Sequence, residues 1–156
     1  MRNNPDSDLD DISLLELFRE EAETQAAVMT AGLVSLERDS RAVERIEPLM
    51  CAAHSIKGAA LVLNLNTLAS LAGAMEECFV EAQRGHLRLQ PIHFDVLREG
   101  VDFWMQISQL TETEVENWDR QNQAKVEVFI QKLSSVRAAG DSSVPRHRAS
   151  ASKAAP

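Results

Sequence analysis

The sequence contains no tyrosine, and aromatic residues make up only 4% of its 156 positions. Strands are enriched in aromatic and β-branched residues, whereas the alanine and leucine that are plentiful here favour helices. The apolar fraction of 44% is ordinary for a globular protein, and the length suits one domain with a tail. The composition therefore predicts an all-α fold.

Clustered basic residues are also lacking in the part of the chain with apolar patterning, and the net charge is −8. Nonspecific binding to nucleic acid needs such a cluster, so this function is excluded. No apolar run approaches the roughly 20 residues that cross a bilayer. The polar, acidic start of the chain has no apolar signal-peptide core. We expect a cytoplasmic location and no membrane insertion.

Cysteine is scarce as well, since Cys51 and Cys78 are the only two. Two cysteines are too few for a disulfide framework. Both lie in apolar helical patterns, so we expect two free, buried thiols.

Apolar residues recur at helical spacing in five stretches. The first helix is predicted from near Ile12, capped by Asp10 or Asp11, to near Arg38. Gly32 within its apolar stripe lowers helix propensity but lets a neighbouring helix approach closely.

The second stretch runs from about residue 40 to residue 63. Proline removes a backbone donor and clashes with the preceding turn, so we expect a short lead-in turn and a main helix from Pro48. At its end, Asn64 is predicted to adopt a left-handed conformation and Asn66 to cap the next helix.

Three more helices are predicted. The third ends at Gly85, the fourth opens at Pro91, and the fifth begins at Thr111 or Thr113 and carries its apolar stripe to Val136.

Short connections make sequential helices antiparallel neighbours, so an antiparallel four-helix bundle with an additional fifth helix is expected. We assign residues 11–137 to this bundle. Residues 1–10 are expected to be a flexible N-terminus. Residues 138–156, rich in Ala, Ser, Pro and basic residues, are expected to be a disordered linker to further domains.

Three of the four histidines are predicted to be solvated surface residues. His86 follows Gly85 in a loop, and His147 lies in the predicted linker. His93 falls in the first turn of the fourth helix, where the helix dipole disfavours a cation.

His54 has different neighbours. The core stripe passes through Ala53 and Ile56, which leaves His54 on the flank of its helix beside Lys57 and Gly58. Side chains tilt toward the helix N-terminus, so Lys57 is expected to point back over His54. Gly58 costs about 1 kcal/mol of helix propensity relative to alanine, and it leaves open space beside the imidazole.

We expect alanines 52, 53, 59 and 60 to extend this smooth surface. Each feature alone has an ordinary explanation: a half-buried histidine, a solvated lysine and a glycine that permits close packing. Together on one face, they suit a histidine that another protein must reach and that then bears an anion.

These residues resemble a known family. His54-Ser55-Ile56-Lys57-Gly58 is similar to the His-x-x-Lys-Gly core of histidine-containing phosphotransfer (HPt) domains. The flanking residues resemble the amino-terminal domain of CheA-type chemotaxis kinases, and the likeness continues through Leu71, Met75-Glu76 and Glu81-Ala82-Gln83-Arg84-Gly85. A narrower resemblance is to the Wsp-type surface-sensing kinase, which would imply a response regulator that makes cyclic di-GMP.

The resemblance implies a role for each site residue. His54 would be phosphorylated on Nε2, Lys57 would orient the phosphoryl group, and Gly58 would keep access open. Glu76 would accept a hydrogen bond from Nδ1. The sequence departs from the family pattern at Asn64, where glycine is frequent, and at Gly73, where CheA-type domains often carry a second histidine.

The resemblance also implies the partners. An ATP-binding kinase domain of the parent protein would phosphorylate His54, and the aspartate of a response-regulator receiver domain would accept the phosphoryl group. ATP and Mg²⁺ would belong to those partner domains, and this domain would hold no cofactor. The parent would be a protein-histidine kinase, while this domain alone would be a phosphocarrier without an ATP site.

Two other functions remain open. The chain could be a noncatalytic helical docking domain in which His54 is incidental. It could also hold a metal ion on Cys51, His54 and Cys78, although a fourth ligand is not evident and Cys51 is expected in the core row.

Overall fold

The computed structural model describes residues 13–39 and 41–143, with side chains described as far as Ala138. Regular structure in this part of the chain is helical throughout. The elements are α1 (Leu14–Arg38), a 3₁₀ turn (Val43–Arg45), α2 (Glu47–Val62), α3 (Asn66–Gln83), α4 (Pro91–Ser108), α5 (Glu112–Gln121) and α6 (Gln123–Ser143).

The helices form the expected antiparallel bundle. Helix α1 packs against α2 and α4, α2 packs against α3, and α6 packs against both α3 and α4. The core contains the largest fully buried side chains, among them Trp104, Phe18, Phe79, Phe94 and Phe129. The predicted all-α fold is therefore confirmed. None of the helices between residues 13 and 143 has the length and hydropathy of a membrane-spanning segment.

The first two helices begin close to the predicted places. Ser13 caps α1 by accepting a 3.1 Å hydrogen bond from the Glu16 backbone N–H. The predicted caps, Asp10 and Asp11, lie outside the described residues. Pro48 lies in the first turn of α2, after the 3₁₀ turn, as predicted.

The close approach predicted at Gly32 is present. A Cβ atom at this position would overlap the side chain of Leu49 on α2. The missing side chain at Gly32 therefore lets α1 and α2 pack closely.

A tight turn joins α2 to α3. Asn64 has a φ of 57°, which confirms its predicted left-handed conformation. The Leu65 N–H donates to the Ala60 carbonyl at 2.9 Å, and the Asn64 N–H donates to the Leu61 carbonyl at 3.1 Å. This pair of bonds is a Schellman motif, which satisfies two carbonyl groups at the end of α2.

The predicted cap of α3 is wrong. Asn66 is the first helical residue, and its side chain makes no capping bond. Instead, Asp119 of α5 accepts the Thr67 backbone N–H at 2.8 Å through Oδ1, and its own carbonyl accepts the Thr67 hydroxyl at 3.2 Å. A long-range contact thus supplies the acceptor that the local sequence does not.

The predicted fifth helix is divided in two. Thr111, one of the two predicted starting residues, forms a capping box with Glu114 at the start of α5. At Asn122 the side-chain amide and the backbone N–H both donate to the Trp118 carbonyl, at 2.9 and 3.0 Å. This local competition for a carbonyl interrupts the helix. Helix α6 then continues to Ser143, past the predicted bundle end at 137; residues 144–156, including His147, lie outside the described residues.

The surface position predicted for His93 is wrong, because this side chain is only 1% exposed. Its Nδ1 accepts the Gln90 backbone N–H at 2.9 Å, and its Nε2 lies 3.2 Å from the Val136 carbonyl, which can only accept. Burial lowers the pKa of His93 and outweighs these backbone contacts. The helix dipole disfavours only a cationic ring at this position, and the buried ring is neutral. His86 is exposed, as predicted.

The two cysteines differ in burial. Cys78 is buried, and burial raises the pKa of its thiol to about 12. Cys51 is exposed, so its predicted burial is wrong. The buried stripe of α2 runs through Leu49, Ala52 and Ala53 and leaves Cys51 on the outer face.

Candidate functional site

The candidate site lies on the outer face of the α2–α3 hairpin. Ala53 and Ile56 on α2 are fully buried, and they fix which side of this helix faces the core. His54 is therefore directed outward, and its side chain is 67% exposed. A large molecule can reach this imidazole without rearrangement of the bundle.

The register of the hairpin brings the site residues together. His54 and Glu76 each lie eleven residues from Leu65 in the turn, and Lys57 and Gly73 each lie eight residues from it. Positions equidistant from a tight antiparallel turn lie opposite one another. The turn at Asn64 therefore places Glu76 beside His54, and Gly73 beside Lys57.

Glu76 holds two partners with its two oxygens. Oε1 lies 2.9 Å from Nδ1 of His54, and Oε2 lies 2.7 Å from Nζ of Lys57. The Glu76 side chain is 20% exposed, and that of Lys57 is 34% exposed. The contact in which Glu76 was expected to accept a hydrogen bond from Nδ1 is present. Lys57, however, is paired with this carboxylate instead of lying free over the imidazole.

The charge state of Glu76 follows from these contacts. Partial burial acts to raise its pKa, but hydrogen bonds and charge attraction from Lys57 and His54 outweigh burial and lower it. The group is thus a carboxylate at neutral pH, and a carboxylate only accepts hydrogen bonds. The proton of a neutral His54 ring must then be on Nδ1, which leaves the lone pair on Nε2.

Gly58 lies one turn after His54 and is exposed. A Cβ atom here would meet no atom within 4 Å, so the glycine is not required for packing within the described part of the domain. The space beside the imidazole is open, as expected.

The prediction that four alanines extend the smooth surface beside His54 is wrong. Ala52, Ala53 and Ala60 are buried, and only Ala59 is half-buried, because these positions form the core side of α2. Larger apolar side chains are exposed toward the end of α2 and the start of α1, namely Leu61, Val62, Leu14 and Leu17. Ala59 and Val62 line a groove with Leu14 and Leu17.

The proposed metal ligands are not brought together. Cys51 is exposed on α2, whereas Cys78 is buried in the core. Among the residues that the structure describes, no group of three His, Cys, Asp or Glu side chains is placed to hold a metal ion.

The ion pair between Lys57 and Glu76 was not anticipated from the sequence. The signal was present, because the left-handed turn predicted at Asn64 fixes the register of the two helices. Counting outward from that turn pairs positions 54 and 57 with positions 76 and 73. Side chains tilt toward the helix N-terminus, so a lysine at position 57 extends past Gly73 toward Glu76.

Comparison with known proteins shows the family of this chain. The sequence model of the Hpt domain matches residues 13–117. The sensor histidine kinase CheAY of Helicobacter pylori is 30% identical over 95 residues, which cover 60% of this chain and 12% of that protein. The chemotaxis protein CheA of Borreliella burgdorferi is 27% identical over 95 residues, which cover 61% of this chain and 11% of that protein. The chain therefore spans only a small part of these relatives.

A solved structure shares the fold. The phosphorylated P1 domain of CheA3 from R. sphaeroides, crystallised in complex with CheY6, superposes with a TM-score of 0.66. The match covers 81% of this chain and 97% of that domain at 19% identity, and it establishes the fold alone. The family assignment depends on the domain match at residues 13–117, which spans more than half of the sequence. The chain belongs to the Hpt domain family.

Proposed function

We propose that this domain carries a phosphoryl group on Nε2 of His54, between an ATP-binding kinase domain and the aspartate of a response-regulator receiver domain. The observation that carries the proposal is the contact of Glu76 with Nδ1 at 2.9 Å on a histidine whose side chain is 67% exposed. This contact leaves the lone pair on Nε2, and the exposure of the side chain makes Nε2 accessible to a partner protein.

Two displacements at phosphorus make up the reaction. In the first, Nε2 of His54 attacks the γ-phosphorus of ATP, and the bond to the ADP oxygen breaks. In the second, a carboxylate oxygen of the receiver aspartate attacks the same phosphorus, and the P–N bond breaks. The electron pair returns to Nε2, so His54 is again neutral. Catalysis of such transfers consists mainly of positioning and charge stabilisation.

Glu76 and Lys57 contribute to both steps. Phosphorylated imidazole with a proton on Nδ1 has positive character in the ring, which the Glu76 carboxylate stabilises. The phosphoryl group adds negative charge next to Glu76, and this charge attracts Lys57 away from Oε2. Lys57 thus moves from the carboxylate to the phosphoryl group as the latter arrives.

The partners supply the rest of the chemistry. ATP and Mg²⁺ belong to the kinase and receiver domains, and the receiver docks beside His54 on the exposed apolar side chains of α1 and α2. We place the exchange in the cytoplasm, where a CheA-type kinase and its regulator would meet.

The proposal is tested by incubating the domain with the ATP-binding domain of a CheA-type kinase and ATP labelled on the γ-phosphate. We expect acid-labile, base-stable label that is lost in His54→Gln. His86→Gln is the matched control, because His86 is also exposed, at 63%, and its Nδ1 lies 3.4 Å from Glu81. Label retained by a folded His54→Gln domain would contradict the proposal and would favour a docking domain in which His54 is incidental.

A further inference from the structure

Lys57 lies in an open groove on the outer side of α3. The groove has a volume of about 560 Å³ and is lined by residues of α2, α3 and α6, which include Lys57, Ser70, Gly73, Glu76, Val80 and Ile130. The lysine stem crosses its floor, and the ammonium group reaches Oε2 of Glu76 at 2.7 Å.

At Gly73 no side chain covers the floor of this groove. A Cβ atom at position 73 would lie 3.5 Å from Cδ of Lys57, an ordinary van der Waals distance. Any atom beyond Cβ in the direction of the stem would occupy the volume that the lysine methylenes now fill. The position thus accepts alanine without a clash, whereas a longer side chain directed at the stem would displace Lys57.

We infer that Gly73 is a positioning residue for Lys57: its missing side chain lets the lysine stem lie against α3 and thereby delivers the ammonium group to Glu76. Gly73 touches neither His54 nor the incoming phosphoryl group, so its effect passes through Lys57. The role of Gly73 in catalysis rests on the proposed phosphotransfer function, in which Lys57 moves from Glu76 to the incoming phosphoryl group.

The geometry of the α2–α3 hairpin explains why position 73, and not a neighbouring position on α3, controls where the Lys57 stem lies. Gly73 and Lys57 are equidistant from Leu65 in the turn, so they face each other across the α2–α3 contact. Ser70 lies one turn earlier on α3 and lines the same groove. Side chains of a helix tilt toward its N-terminus, so a long side chain at position 70 points away from Lys57 and Glu76.

The test is an NMR titration of the Glu76 carboxyl in the unphosphorylated domain. Lys57 lowers the pKa of Glu76, so displacement of the ammonium group must raise the midpoint of this titration. Lys57→Met, which keeps the stem and removes the charge, gives the midpoint expected for complete displacement. We expect Gly73→Leu to approach that midpoint, and Gly73→Ala and Ser70→Leu to remain at the wild-type value.

Gly73→Gln is a second variant for the case in which leucine in an open groove prevents folding. A folded Gly73→Leu or Gly73→Gln domain with the wild-type Glu76 midpoint would overturn the inference, and so would an equal rise in Ser70→Leu. Neither outcome depends on whether His54 accepts a phosphoryl group, so this inference and the proposed function fail separately.

A second readout concerns the reaction. Where Lys57 is displaced, we expect phosphorylation of His54 by the kinase domain to slow by about two- to fivefold, which is the effect that a partly exposed ion pair typically has. Ser70→Leu, the control variant, should retain the wild-type rate. An unchanged rate in a variant with a raised Glu76 midpoint would show that the position of Lys57 does not affect transfer.

Discussion

Nδ1 of His54 and Oε1 of Glu76 lie 2.9 Å apart, although the residues are on different helices and 22 positions apart in the sequence. The contact fixes the ring tautomer from outside the helix that carries the histidine. Since the second oxygen of Glu76 pairs with Lys57 at 2.7 Å, one carboxylate orients both the nucleophile and the cation of the proposed site.

The first prediction concerns the charge of Glu76. In Glu76→Gln an amide oxygen can still accept from Nδ1, but the negative charge is lost and the Lys57 ion pair with it. Hydrogen bonds to charged groups are stronger than neutral ones by about 1 kcal/mol, which corresponds to roughly a fivefold lower rate of His54 phosphorylation. Initial rates with a CheA-type kinase domain and labelled ATP measure this change.

Glu77→Gln is the matched control for that variant. Glu77 is the next residue, its side chain is 75% exposed, and it lies 3.7 Å from Arg137 instead of near His54. Equal rates in the two variants would show that the Glu76 contact has no part in the reaction.

The second prediction concerns Gly58, whose replacement should separate stability from transfer. A Cβ atom here meets nothing within 4 Å, so Gly58→Ala should stabilise α2 by about 0.5–1 kcal/mol through helix propensity alone. Urea unfolding followed by circular dichroism measures this gain. A larger residue, as in Gly58→Leu, should leave folding intact and slow transfer to a receiver domain, because it fills the space beside His54.

Gly32→Ala provides the opposite case within the same protein. Its Cβ atom would overlap Leu49, so the same substitution should destabilise the domain by about 1–3 kcal/mol in spite of the gain in helix propensity. Similar effects of the two substitutions would contradict the difference in packing on which both predictions depend.

Local signals in the sequence predicted much of this fold. Pro48, Asn64, Pro91 and Thr111 lie where a proline, a left-handed residue or a cap was expected, because each acts through its own backbone or the next turn. The face of His54 could also be predicted, since apolar periodicity identifies the buried side of α2.

Features that depend on distant contacts could not be predicted. The cap of α3 comes from Asp119, 52 positions after Thr67, and the ring of His93 bonds to a carbonyl 43 positions away. Neither partner can be identified from the local pattern, which predicts Asn66 as the cap and His93 as a surface residue. The exposure of Cys51 could not be predicted from the pattern, because α2 is apolar on more than its core side.

The third prediction concerns Asp119. Its carboxylate accepts the Thr67 N–H at the start of α3, so Asp119→Ala should lower the free energy of unfolding by about 0.5–2 kcal/mol, the range for loss of a helix cap. Asp119→Asn should retain most of the stability, since its amide oxygen can still accept. Chemical denaturation of the three proteins measures the difference. Glu116→Ala, on the exposed side of α5, should have little effect.

The last prediction is that His93 contributes to the pH dependence of folding stability. Both of its ring nitrogens are engaged, and Nδ1 faces the N–H of Gln90, so a second proton on the ring would break the contact. Burial lowers the pKa of His93 below its ordinary value of 6.5. The unfolded chain then binds this proton at higher pH than the folded protein does, and stability rises with pH in that window.

The contribution of His93 should therefore be complete above pH 6.5 and be lost as the pH falls through the lowered pKa. Urea midpoints measured between roughly pH 8 and pH 5 should decline more steeply in the wild type than in His93→Gln. The variant should also be less stable at the upper end by about 1–3 kcal/mol, because it disturbs buried hydrogen bonds. Comparing the two proteins isolates the contribution of His93 from that of every group they share, and His86→Gln, at an exposed histidine, is the matched control. Parallel pH profiles for the wild type and His93→Gln would show that the buried ring does not contribute to this dependence.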